Sequence, residues 1–340
     1  MPIISMQAES TTPSPNTVNY KAPTWAQNQH VQSLLATFKL RRRFVQHRAQ
    51  PMLQASKEVI IECDDGVKLQ SFYAQSQADA PLVVLIHGWE GSHQSLYLIS
   101  CASTLFNHGY NVVRLNLRDH GDSHHLNQEL FHSNRLDEVI NAVKKIQTKY
   151  QPSKLFLTGF SLGGNFALRV AKQATKHDIR LAKTVAICPA LDPTDVLEKL
   201  ENGLSLYIKY FMYKWKRSLR KKQELFPHLY DIEESLRTDS MRKLTEELVN
   251  FYGDYDSINA YFDGYDITGD YLSNLDVDTT VLLAKDDPII DYRAIYDLPV
   301  NPNIEYFLSE HGGHCGFIKN SKLHSWLDDF LLEQLNLEAQ

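Results

Sequence analysis

A chain of 340 residues has room for one large core, or for one core carrying an inserted subdomain. Its composition, 43% hydrophobic and 22% charged, is that of a soluble globular protein, and its formal net charge of -6 argues against a nucleic-acid binder, which carries a basic excess. Four scattered cysteines, Cys63, Cys101, Cys188 and Cys315, show neither a Cys-x-x-Cys pair nor metal-type spacing, so they read as free thiols of a reducing compartment.

Residues 1–20 are rich in Ser, Thr, Pro and Asn and read as a disordered tail, without the basic and apolar regions of a secretory signal. No apolar run approaches the roughly 18–20 residues of a spanning helix, so a cytoplasmic protein is expected. An N-terminal arm, residues 21–56, holds a short helical stretch at Val31–Leu40 and the run Arg41–Arg43, read as a solvated surface turn rather than an anion contact. Strands are predicted at Lys57–Cys63 and Val67–Ala74, joined by Asp64-Asp65-Gly66, a short hairpin signal.

After Pro81 come short apolar, β-branched runs: Leu82–Ile86, Asn111–Leu117, Leu155–Thr158, Thr184–Ile187 and Thr280–Ala284. Helical stretches separate the first four, a pattern that indicates a parallel sheet covered on both faces. The alternation breaks at residues 190–275, which read as helices rich in Tyr, Phe, Lys and Glu and have the size of a cap. Strand Ile304–Leu308, the loop Ser309–Phe317 and an amphipathic helix over Lys319–Leu335 close the chain.

The most informative motif is Gly159-Phe160-Ser161-Leu162-Gly163, set between the run Lys154–Thr158 and the helical stretch Gly164–Ala171. Strand, Gly-x-Ser-x-Gly and helix in that order are the context of a nucleophile elbow, where glycines relieve crowding around a strained serine. A serine needs a base to take its proton and a carboxylate to orient that base. Ala284-Lys285-Asp286-Asp287-Pro288 follows a late strand, and Glu310-His311-Gly312-Gly313-His314 follows the last one. Of the two aspartates Asp287 is favoured over Asp286, because it stands fourth in a Gly-x-x-Asp-like pattern with Ala284 in the glycine place. His314 is favoured over His311, because the preceding glycines let the loop carry it over Ser161. His87-Gly88-Trp89-Glu90-Gly91-Ser92 follows Leu82–Ile86, and the backbone N–H groups of Trp89 and Leu162 are the expected oxyanion hole. The loop Arg118-Asp119-His120-Gly121-Asp122-Ser123 reads as a hydrogen-bonded scaffold, so no metal is assigned.

These motifs, together with Pro23-Thr24-Trp25, Asn28–Leu35, Asp64-Asp65-Gly66 and Gly313-His314-Cys315-Gly316-Phe317, resemble the α/β-hydrolase superfamily over residues 20–335. Within it the chain is most similar to the YheT-like branch, which includes abhydrolase-domain lipases and acyltransferases. It departs from that branch at Arg118–Ser123, where the family tends to an Arg-Gly-Cys type of loop. The resemblance implies an α/β-hydrolase fold: a mostly parallel central sheet with helices on both faces, its core formed by residues 57–189 and 276–340, and a helical cap inserted at 190–275.

In the stretch 204–222, Leu204, Tyr207, Ile208, Phe211, Met212, Trp215 and Leu219 recur at three- and four-residue steps, with lysines and arginines mostly on the other faces. A cap helix with solvated lysines is the preferred reading; peripheral contact with an anionic membrane surface is the alternative. The expected function is cleavage of carboxylic esters with a hydrophobic acyl group through an acyl-serine, using Ser161, His314 and Asp287. The partner is a small-molecule ester or lipid substrate, and no cofactor is implied. Acyl transfer to an alcohol or thiol, and a non-catalytic binding role, are the competing readings. Oligomeric state is not set by the sequence.

Overall fold

The computed structural model describes residues 12–253 and 255–336. Among these residues nine strands form one sheet: β1 (Asn16–Thr17), β2 (Ser56–Glu62), β3 (Lys68–Ala74), β4 (Leu82–Ile86), β5 (Asn111–Leu115), β6 (Leu155–Phe160), β7 (Leu181–Ile187), β8 (Thr279–Ala284) and β9 (Ile304–Ser309). Their spatial order is β1-β9-β8-β7-β6-β4-β5-β3-β2. The β2–β3 hairpin runs antiparallel with Glu62 opposite Lys68, and β3 joins β5 antiparallel; every other pairing is parallel.

The continuous apolar runs follow from burial on two faces. In β4 all five residues are at most 1% exposed. Leu82, Val84 and Ile86 join the core that holds helices α5 (Leu136–Tyr150) and α6 (Leu162–Gln173). Val83 and Leu85 join the opposite core with α4 (Leu96–Asn107) and α11 (Leu327–Asn336). A strand's period of two sends alternate residues to opposite sides, and each such Val, Leu or Ile contributes roughly 1.5–3 kcal/mol by leaving water. All four cysteines are buried and unpaired.

The arm folds as α1 (Gln29–Thr37), α2 (Lys39–Arg48) and α3 (Gln50–Ala55). Asn28 caps α1, its side chain accepting from the N–H groups of His30 and Val31. Between Ile187 and Thr279 the described chain forms α7 (Pro193–Asn202), α8 (Ser205–Leu225), α9 (Met241–Tyr252) and α10 (Ile258–Asp263), with no strand.

Three local expectations are corrected. Residues 1–11 of the predicted disordered tail lie outside the described residues, but the rest of it is structured. Asn16 and Thr17 pair in parallel with Phe307 and Leu308, and Tyr20 is buried with its hydroxyl donating to the Ile318 carbonyl at 2.8 Å. The run Arg41–Arg43 is not a solvated turn: it lies within α2, and Arg41 is fully buried, donating to the carbonyls of Ala36 (2.9 Å) and Leu323 (3.1 Å). The last helix begins at Leu327 rather than Lys319. Ahead of it Ile318 and Ser325 form an antiparallel bridge, and Leu323 takes a left-handed φ of 56°, which no helix accommodates.

Candidate active site

Ser161 sits between β6 and α6 at φ 55°, ψ −123°. Crowding explains the flanking glycines. A Cβ at Gly159 would lie 2.0 Å from the Gly163 carbonyl oxygen, and one at Gly163 would lie 2.4 Å from the His87 carbonyl oxygen. Only glycine lets β6, α6 and the turn after β4 approach so closely. The strained serine is held by its own N–H, which donates to Ile187 O at 2.9 Å.

The turn after β8 and the loop after β9 bring two aspartates and two histidines together, in separate pairs. His314 Nε2 lies 3.0 Å from Ser161 Oγ, and His314 Nδ1 lies 2.9 Å from Asp287 Oδ2. The other Asp287 oxygen accepts from the N–H groups of Ile289 (2.8 Å) and Ile290 (3.0 Å). Asp286 instead faces the His loop, accepting from Gly313 N–H at 2.8 Å and meeting His311 Nδ1 at 3.3 Å.

Burial pushes the His314 imidazole down, but the Asp287 carboxylate, assisted by Cys315, outweighs it and raises the ring to about 9. A base must be unprotonated to accept a proton. The acid limb of kcat/KM is therefore expected to rise with pH through a midpoint above the ordinary 6.5 of a histidine. A pH-stat assay on an alkyl ester measures it, and a midpoint at or below 6.5 would contradict the assignment.

The turn after β4 lies against the serine: a Cβ on Gly88 would come 3.0 Å from Ser161 Cβ. Trp89 follows, its ring stacked on Phe211 (5.5 Å) and edge-on to Trp215 (5.2 Å). Leu162 is the first residue of α6, where N–H groups lack helical acceptors and the helix dipole is positive. His87 is a structural residue. It is fully buried, accepts from Leu117 N–H at 3.2 Å and donates from Nδ1 to Gly88 O at 2.8 Å, and burial holds it well below the usual histidine range.

The Arg118–Ser123 loop is tied down throughout. Arg118 pairs with Glu138 and Glu129 at 2.8 Å each, and Asp119 pairs with Lys222 at 2.7 Å. Among the described residues no group of three or more His, Cys, Asp or Glu is arranged to hold a metal ion.

A model of the alpha/beta hydrolase fold matches residues 81–321. The chain belongs to the α/β-hydrolase family, in its YheT-like branch. It is 28% identical over 301 residues to YheT of Escherichia coli (strain K12), covering 82% of this chain and 85% of that one. It is 22% identical over 317 residues to phospholipase ABHD3 of Bos taurus, covering 89% and 74%. Among solved structures, the Pyrococcus furiosus esterase Pf2001 superposes with a TM-score of 0.55 at 15% identity, covering 96% of this chain and 97% of the other, a likeness of fold.

Several supports of this hydrolase's site carry no catalytic signature in the sequence. Ser33 Oγ accepts the His314 N–H at 2.8 Å while donating to Gln29 O. Gln32, fully buried, donates to Tyr20 Oη and Ala26 O and accepts from Ile318 N–H at 2.7 Å. The Tyr97 hydroxyl accepts the Gly88 N–H at 3.0 Å. Gln32 and Ser33 lie in the stretch Asn28–Leu35 that carries the family resemblance, but the sequence assigns neither a role, since a polar pair inside an amphipathic helix fits a surface helix equally well.

A cavity of about 310 Å³ opens above Ser161 and His314, with Trp89 and Leu162 in its wall. Helix α8 covers part of it through Tyr207, Phe211 and Trp215. The lysines expected to be solvated are largely engaged. Lys222 is buried against Asp119, Lys214 donates to the Glu90 carbonyl, and Lys216 and Lys221 pair with Asp239 and Asp122. Lys222 and Lys214 are thus drawn into the protein, while Lys216 and Lys221 pair with exposed aspartates at its surface. No helix among the described residues is long and apolar enough to cross a membrane.

Proposed function

We propose that this hydrolase cleaves carboxylic esters bearing a hydrophobic acyl group, through an acyl-serine. The observation that carries the reading is the hydrogen-bonded line from Asp287 through His314 to Ser161, opening into a cavity lined mainly by apolar and aromatic side chains. With Asp287 accepting from Nδ1–H, His314 presents a bare Nε2 lone pair to the serine hydroxyl. Ser161 Oγ attacks the acyl carbon as its proton passes to Nε2, and the same proton then leaves on the alcohol. Water repeats the sequence to release the acid. The N–H groups of Trp89 and Leu162 hold the charge on the carbonyl oxygen, a contribution of about 10²–10³ in turnover per donor. Residues 190–275 act as the cap, and an apolar chain rests against the side chains they supply.

A series of p-nitrophenyl esters from acetyl to long acyl chains tests this. Turnover is expected to rise with chain length until the cavity is filled. Absence of turnover at every length would sink the esterase reading.

A further inference from the structure

Leu34, Leu206 and Tyr210 line the cavity and are each more than 40% exposed, which makes them its mouth. Its closed end is formed by lining residues that are at most 9% exposed, Tyr261, Phe262 and Tyr265, with His132 among them. This imidazole lines the cavity and is 8% exposed. Its ring centroid lies 4.9 Å from that of Tyr252, 6.0 Å from Tyr255 and 6.3 Å from Tyr261. Its Nδ1 is buried without a hydrogen-bond partner. Buried polar nitrogens are nearly always paired, because an unpaired one forfeits its bond to water.

Neighbouring groups leave His132 no opposite charge. Arg118 is occupied by Glu138 and Glu129, Arg135 donates to Leu130 O, and Arg169 donates to Ser133 O. Burial, reinforced by these three cations, lowers the ring to about 3. At neutral pH it is an uncharged donor and acceptor. Arg169, which anchors Ser133 at 2.7 Å, stands eight residues beyond Ser161 on α6. That is about 12 Å along the helix.

We propose that His132 is a specificity-determining residue that receives a hydroxyl carried on the substrate's acyl chain, remote from the ester carbonyl. The acyl portion is assigned to the closed end because it stays on Ser161 after the alcohol has departed through the mouth. An uncharged imidazole that can donate or accept is matched by a neutral hydroxyl, which can do the same. This proposal rests on the esterase reading above.

The test compares p-nitrophenyl decanoate with p-nitrophenyl ω-hydroxydecanoate. Wild-type kcat/KM is expected to favour the hydroxylated ester by about tenfold, the worth of one net hydrogen bond. His132→Leu is expected to reverse the preference, and His132→Gln, which keeps a donor and an acceptor, to retain it. An identical ratio in wild type and both variants would overturn the proposal and leave His132 as packing. A thermal-shift titration with decanol and decanediol reads the same contact without chemistry. A larger shift by the diol in wild type, lost in H132L, sustains the subsite even where no ester is turned over. Equal shifts by both ligands would refute it.

Discussion

Ser161→Ala is expected to lower kcat for ester cleavage by roughly 10⁴–10⁶-fold, the range seen when a nucleophile that works as one unit with its base is removed. The substitution deletes only Oγ. The Cβ, the positive φ of 55° and the N–H bond to Ile187 O are kept, so the fold and thermal midpoint should change little. Reaction with a fluorophosphonate probe should disappear with turnover, since both depend on the same oxygen. A variant that keeps wild-type turnover, or still takes up the probe, would show that another group is the nucleophile.

The second large effect separates two adjacent carboxylates. Asp287→Asn is expected to reduce kcat by about 10⁴. The two N–H groups of Ile289 and Ile290 require an oxygen at Oδ1, so the new amide must turn its NH₂ toward His314. His314 Nδ1 then has to accept, the ring proton moves to Nε2, and the nitrogen facing Ser161 can no longer take a proton. Removing the carboxylate also removes what lifts the imidazole against burial, so any residual activity should show its acid limb at lower pH. Asp286→Asn is expected to cost about tenfold or less, the scale of one weakened hydrogen bond. Its oxygen still accepts the Gly313 N–H, and only the contact with His311 is altered. Equal losses in the two variants would overturn the division of roles.

The helical cover explains why the loop after β4 has two kinds of support. From below, Tyr97 accepts the Gly88 N–H, and from beside it His120 Nε2 accepts the Glu90 N–H at 3.0 Å. From above, Phe211 and Trp215 pack on Trp89, and Lys214 reaches the Glu90 carbonyl. One helix therefore both roofs the cavity and braces the turn that carries the Trp89 N–H.

The amino-acid order alone determined what depends on neighbours in the chain. Apolar β-branched runs could only be buried strands, and β4 was placed residue for residue as Leu82–Ile86. Gly159 and Gly163 marked the elbow because the crowding they relieve arises within a few residues of the serine. Asp287 and His314 were legible because their turns follow strands whose parallel order fixes where they emerge. Tertiary structure decided whatever depends on distant partners. Arg41 reads as surface charge until Ala36 and Leu323 are seen to enclose it, and Asn16–Thr17 reads as loose tail until β9 offers an unpaired edge. The last helix starts late because Ile318 and Ser325 pair first, a contact no helical periodicity records. Ser33 and His132 carry no sign of their partners in the local sequence: Ser33 meets a histidine loop 281 residues away, and the rings around His132 come together only in the folded chain.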